Sequence, residues 1–144
     1  MSRAARTMAG LILILIPTIQ YGGYFLLKSL INPASHYMDN PLRQNLERAG
    51  HAHAGVIILL SLIVQFLADH AALPGVLTWL VRLGAPLSAM LLSAGFFLSV
   101  IGGPGVTHPN GFIALVYAGA FLLALTVITL AVGLLRPKAP SPLL

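Results

Sequence analysis

Four apolar stretches, each near the length needed to cross a bilayer, dominate this sequence. A helix rises about 1.5 Å per residue, so roughly 20 apolar residues span the hydrocarbon core. The stretches run from about Met8 to Ile31, Gly50 to Ala68, Ala85 to Ile101 and Gly111 to Leu135. Lipid offers no water to backbone amides, so such segments must satisfy them internally as helices. The chain therefore reads as an all-α integral membrane protein, one domain built as a bundle of four transmembrane helices. Composition agrees: 58% of the 144 residues are hydrophobic and 8% are charged, too few to coat a soluble domain.

Local signals place the ends. Pro17 sits inside the first span and should bend it. Pro86 falls in the first turn of the third span, where a missing N–H has no consequence. Asn110 is a candidate N-cap for the fourth. Between the second and third spans, Leu77, Trp79, Leu80 and Leu83 suggest a short helix lying in the interface. The tail from Arg136 to Leu144 holds three prolines and reads as disordered. At the start, Arg3 and Arg6 precede an apolar run that continues past Pro17 without a small-x-small cleavage site, which fits a spanning helix rather than a signal peptide.

Charge sets the expected orientation. Four spans put both termini and the middle loop on one side, with Arg3, Arg6, Arg82, Arg136 and Lys138. The other side carries Lys28, Arg43 and Arg48. This bias favours cytoplasmic termini at a cell membrane. The net charge of +5 is spread over span flanks, not along a stripe with aromatic residues, so a nucleic-acid partner is excluded. The absence of cysteine excludes disulfides, thiolate catalysis and iron–sulfur clusters. No P-loop, HExxH, Gly-x-Ser-x-Gly elbow or acidic pair within a span is present.

Of the five histidines, His36, His51, His53 and His108 fall on the outer side. The segment Arg48-Ala-Gly-His-Ala-His-Ala-Gly-Val56 brings two of them into the second span. Ionisable groups at membrane depth usually mark a function, and imidazole is the commonest metal ligand. At about 100° per residue the rings of His51 and His53 point about 160° apart, so they do not chelate one metal together. His53 leads towards Ile57, Ser61 and Gln65 and reads as the buried metal ligand, with His51 nearer the helix end as its support or alternative. Gly50, Ala52, Ala54 and Gly55 leave room for a flat macrocycle or a second helix. The plainer reading makes both rings interfacial, satisfied by water or headgroups. Glu47 stands four residues before His51 and could orient it, or pair with Arg43 or Arg48. His108, in the loop from Gly102 to Gly111, could stand over a cofactor or be an ordinary loop residue. Tyr24 and Tyr117 could donate a hydrogen bond to a ligand or belong to the interfacial aromatic belt. The small residues Gly84, Ser88, Gly95 and Ser99 suggest a face for oligomerisation.

Arg48 with Ala52-His-Ala-Gly55 resembles the Arg-Ala-His-Ser-Gly segment of the styrene oxide isomerases, small four-helix membrane proteins. Weaker similarity continues through Gly95-Phe-Phe97 and Pro109-Asn-Gly111. The resemblance implies a homotrimer in the lipid bilayer that binds haem b through His53, with Arg48, His51, Ala54 and Gly55 around the cofactor. It further implies ferric haem acting as a Lewis acid on a small apolar epoxide, giving an aldehyde by Meinwald rearrangement. The family's polar partners are absent at two places: Leu59 stands for an Asn and Phe97 for a Tyr. Asn110, Tyr24 and Tyr117 are the candidates to replace them catalytically. The alternatives are a haem protein that is not an isomerase (sensor, carrier or electron-transfer module), a copper or zinc site of outer histidines, and a cofactor-free membrane subunit.

Overall fold

The computed structural model of the chain describes residues 1–137. It contains α1 (Arg3–Ile31), α2 (Pro41–Ala68), α3 (Gly75–Leu98) and α4 (Ala114–Leu135), with 3-10 turns at Pro33–Ser35 and Gly111–Ile113. Each of the four helices, α4 with its leading turn, is long and apolar enough to cross a membrane. The expected disordered tail and Lys138 lie outside the described residues, apart from positions 136 and 137.

Three helices start ahead of their apolar runs, α1 by little and α2 and α3 by more than two turns. α2 starts at Pro41, where the Asn40 side chain accepts from the Arg43 amide at 3.0 Å. Pro at the first helical position behind an Asn cap favours this start. Arg43, Glu47 and Arg48 therefore stand on helix and not in a loop. α3 starts at Gly75 and absorbs the residues expected to form a separate interfacial helix. Pro86 is consequently inside α3, not in its first turn. Its missing N–H leaves the Arg82 carbonyl free, and Gln65 Nε2 donates to that oxygen at 2.9 Å. A buried polar side chain on α2 thus repairs the gap that proline leaves in α3.

α3 is the hub, packing along both α2 and α4, whereas α1 leans mainly on α2 and hardly touches α3. The α3–α4 seam is built on small residues. A Cβ at Gly95 would lie 2.7 Å from the Val116 amide nitrogen, and one at Gly119 would lie 2.9 Å from that of Leu92. Gly84 meets Thr126 in the same seam. Gly84, Ser88, Gly95 and Ser99 are all buried. The small-residue face expected to join subunits is therefore spent inside the chain, because only close backbone approach lets α3 and α4 gain dispersion contact in lipid.

A polar clamp closes one end. The Ser2 amide donates to Asp69 Oδ2 at 2.6 Å and its hydroxyl to Oδ1 at 2.7 Å. Arg82, only 4% exposed, donates to Asp69 Oδ1 at 2.5 Å and to the Gln65 carbonyl at 3.1 Å. The Ser2 amide and hydroxyl, then Arg82, hold the Asp69 carboxyl well below the usual carboxylate range. The Ala72 amide donates to the Gly133 carbonyl at 2.7 Å. The start of α1, the α2–α3 loop and the end of α4 thus share one end of the bundle.

Candidate functional site

The rotation of α2 decides which histidine faces inward. Its buried positions are Glu47, Gly50, Ala54, Ile57, Ile58, Ser61, Val64, Gln65 and Ala68. A row of i,i+4 steps drifts about 40° per step, so the row from His53 to Gln65 turns about 120°. Gln65 ends in the core while His53 emerges on the outer surface. His51, one position from Gly50, sits at the edge of the packed face and is partly buried. The expected burial of the pair is therefore reversed: His53 is the exposed ring and His51 the interior one.

His53 has a fixed tautomer. Its Nδ1 lies 2.7 Å from the Ala49 carbonyl oxygen. A carbonyl only accepts, so neutral Nδ1 carries the hydrogen and the Nε2 lone pair is left free. The Phe96 ring lies beside it, centroids 5.3 Å apart.

His51 faces a cavity of about 590 Å³ between α1, α2 and α3. Small residues carve it: Gly22, Ala54, Ala89 and Ala94 line its wall, with Tyr21, Phe25 and Phe97 as the aromatic groups. Glycine lets α1 close over the imidazole, since a Cβ at Gly23 would stand 3.2 Å from His51 Cε1. The same ring borders two smaller spaces. One, of about 340 Å³, also touches Gln20, Gly55 and Leu59, and the other, of about 270 Å³, touches Tyr37 and Arg48. No side chain or carbonyl among the described residues hydrogen-bonds either His51 nitrogen.

The other expected site residues are dispersed. Ala54 and Gly55 border spaces that His51 also borders, and Arg48 lies above it. Tyr24 and Tyr117 are 58% and 71% exposed, on the outer surface and away from the cavity wall. Asn110 is structural: its Oδ1 accepts from the Phe112 amide at 2.9 Å and its Nδ2 donates to the Leu98 carbonyl at 2.9 Å. Those bonds give it a structural role, capping the turn that leads into α4. Phe97 and Leu59, at the two positions of departure from the family pattern, border the larger cavity and the second space. His36 pairs with Asp39 at 2.9 Å on the surface, His70 packs on Phe66 at 4.7 Å, and His108 is exposed.

Sequence reading passed over the outer end of α2. Asn40 donates to the carbonyls of Pro104 and Val106 at 2.9 and 2.8 Å, tying the α3–α4 loop to the α2 cap. Its Asn-Pro pairing with Pro41 was the available signal. Glu47 pairs with Arg43 at 3.5 Å rather than orienting His51. Tyr37 is buried beneath the Arg43 guanidinium, and burial, then the Glu47 charge, pushes its phenol pKa up. The Tyr37 hydroxyl and Glu47 Oε2 have no hydrogen-bond partner among the described residues.

No three histidine or acidic side chains gather among the described residues, so the outer copper or zinc site is not assembled. A single axial imidazole needs no such cluster, and haem b is compatible with this donor set. His53 offers a free Nε2, a hydrogen-bonded Nδ1 of the kind that orients metal-bound histidines, and an aromatic flank. Comparison with family models, with curated proteins and with solved structures finds no match to this chain.

Proposed function

We propose that this chain is a haem b-binding cell-membrane protein of the styrene oxide isomerase type, with His53 as axial ligand. The observation that carries the reading is the 2.7 Å contact from His53 Nδ1 to the Ala49 carbonyl, which leaves Nε2 free on the surface of α2. When bound, ferric haem supplies a Lewis acid able to polarise an epoxide oxygen. The chain's own part is to hold that group, keep water out and give an apolar epoxide a bilayer route to it. Phe96 shields one side of the imidazole. The exposed flank of α2 is left for a second copy to cover, in keeping with the homotrimer that the resemblance implies. Tyr24 and Tyr117 then act, if at all, from a neighbouring copy, since both stand on the outer surface.

The basic residues support an orientation with cytoplasmic termini. Arg3, Arg6, Arg82 and Arg136 stand at the clamp end, against Lys28, Arg43 and Arg48 at the other.

The reading is tested with haem-loaded protein in lipid nanodiscs and styrene oxide. Phenylacetaldehyde should form, and His53→Ala should abolish both the haem spectrum and turnover. A haem-loaded protein that leaves the epoxide unchanged would remove the isomerase activity and keep the haem.

A further inference from the structure

The His51 cavity lies on the other side of α2 from His53, and its character does not depend on haem. Its wall is mostly apolar, with no carboxylate, ammonium or guanidinium among the residues that line it. Phe25 and Phe97 meet edge to face across 6.3 Å, a frame suited to a further aromatic ring. Of the four polar side chains that line this space, Thr18 bonds back to the Leu15 carbonyl at 2.6 Å and Tyr21 is 70% exposed, which leaves two half-buried groups. One is His51, whose ring nitrogens have no hydrogen-bond partner among the described residues. The other is Ser93. The hydroxyls of Ser61, Ser88 and Ser99 bond back to carbonyls of their own helices at 2.7, 2.6 and 2.9 Å. Ser93, also within α3, makes no such bond and lines the cavity instead. Polar groups withheld from helix carbonyls and aimed into an apolar space are the orienting groups of a small-molecule site.

We infer that this cavity is a binding site for a neutral aromatic molecule carrying one hydrogen-bonding oxygen, held at that oxygen by His51 and Ser93. The volume of about 590 Å³ falls within the usual range for small-molecule pockets. An ionic ligand is disfavoured, because no fixed counter-charge lines the wall. The route is lateral: α1 hardly touches α3, so the cavity opens between them to the lipid, where such a molecule concentrates.

Benzophenone is a suitable probe, an aromatic ketone that photolabels nearby C–H bonds and favours methionine. Met90 lines the cavity. In phosphatidylcholine nanodiscs, labelling of Met90 should saturate with benzophenone concentration and fall when diphenylmethanol competes. Ser93→Ala and His51→Leu should each raise the half-saturating concentration about two- to twelvefold, the range for one lost neutral hydrogen bond. Ser93→Ala removes a single oxygen from a half-buried position, so it leaves the bundle folded even if His51→Leu does not. Labelling that rises linearly without competition marks simple partitioning into lipid and overturns the proposal. So does saturable labelling that neither substitution moves.

Discussion

At Gly95 the α3 backbone lies so close to α4 that an added methyl would meet the Val116 amide nitrogen. A backbone atom cannot rotate aside, so the helices must part. Gly95→Ala should destabilise the folded state by about 1–3 kcal/mol, the usual range for overpacking a tight core. Gly10 is the control, a helical glycine with nothing within 4 Å of an added Cβ. Gly10→Ala should be neutral or stabilising by up to about 1 kcal/mol. Thermal midpoints in one detergent compare the two, and equal shifts would contradict the packing account. The same scale explains the histidines. Residue type and spacing said that His51 and His53 oppose each other, and they do. Which of them faces inward depends on the rotation of α2, which neighbours set and a short string of residues does not.

Among the elements, the cores of the spans were legible because lipid tolerates few alternatives to a long apolar helix. The ends were less so. The first turns of α2 are polar, and an apolar run cannot report them, although Asn40-Pro41 carried a start signal. In α3, Pro86 reads as a first-turn proline until Gln65 is seen bonding the Arg82 carbonyl it frees. Arg82 looked like a loop charge, but it is buried and paired with Asp69. That pair makes a pH prediction. The folded-state pKa of Asp69 lies below the unfolded value near about 3.9, so its stabilising contribution is complete above that value. The contribution is lost as pH falls through the folded-state pKa. Asp69→Asn leaves Arg82 buried without its counter-charge and should cost about 3 kcal/mol at neutral pH. The difference from wild type in unfolding midpoint should narrow below about pH 4. A constant difference across that range would mean that charge plays no part in the clamp.

For the whole molecule, the bundle is asymmetric. α3 carries the packing, while only 6% of the apolar window of α1 is buried. The cavity beside His51 exists because α1 rests on α2 through glycine and leaves α3 unfilled. No sequence pattern announces such a space, since it arises from where helices fail to meet. Orientation is testable without background, because the chain has no cysteine. Single cysteines at Ser35 and Thr107 should react with an impermeant maleimide applied to intact cells. One at Thr78, near the clamp end, should react only after lysis, and the reverse pattern would invert the proposed topology.

The central claim is a bond from His53 to haem iron, and a haem titration followed by visible absorption tests it directly. Wild type, His53→Ala and His51→Ala would be titrated side by side in mild detergent. The account predicts a Soret band that saturates at one haem per chain in wild type, persists in His51→Ala and is lost in His53→Ala. A band that survives His53→Ala, or no band in wild type, would contradict it.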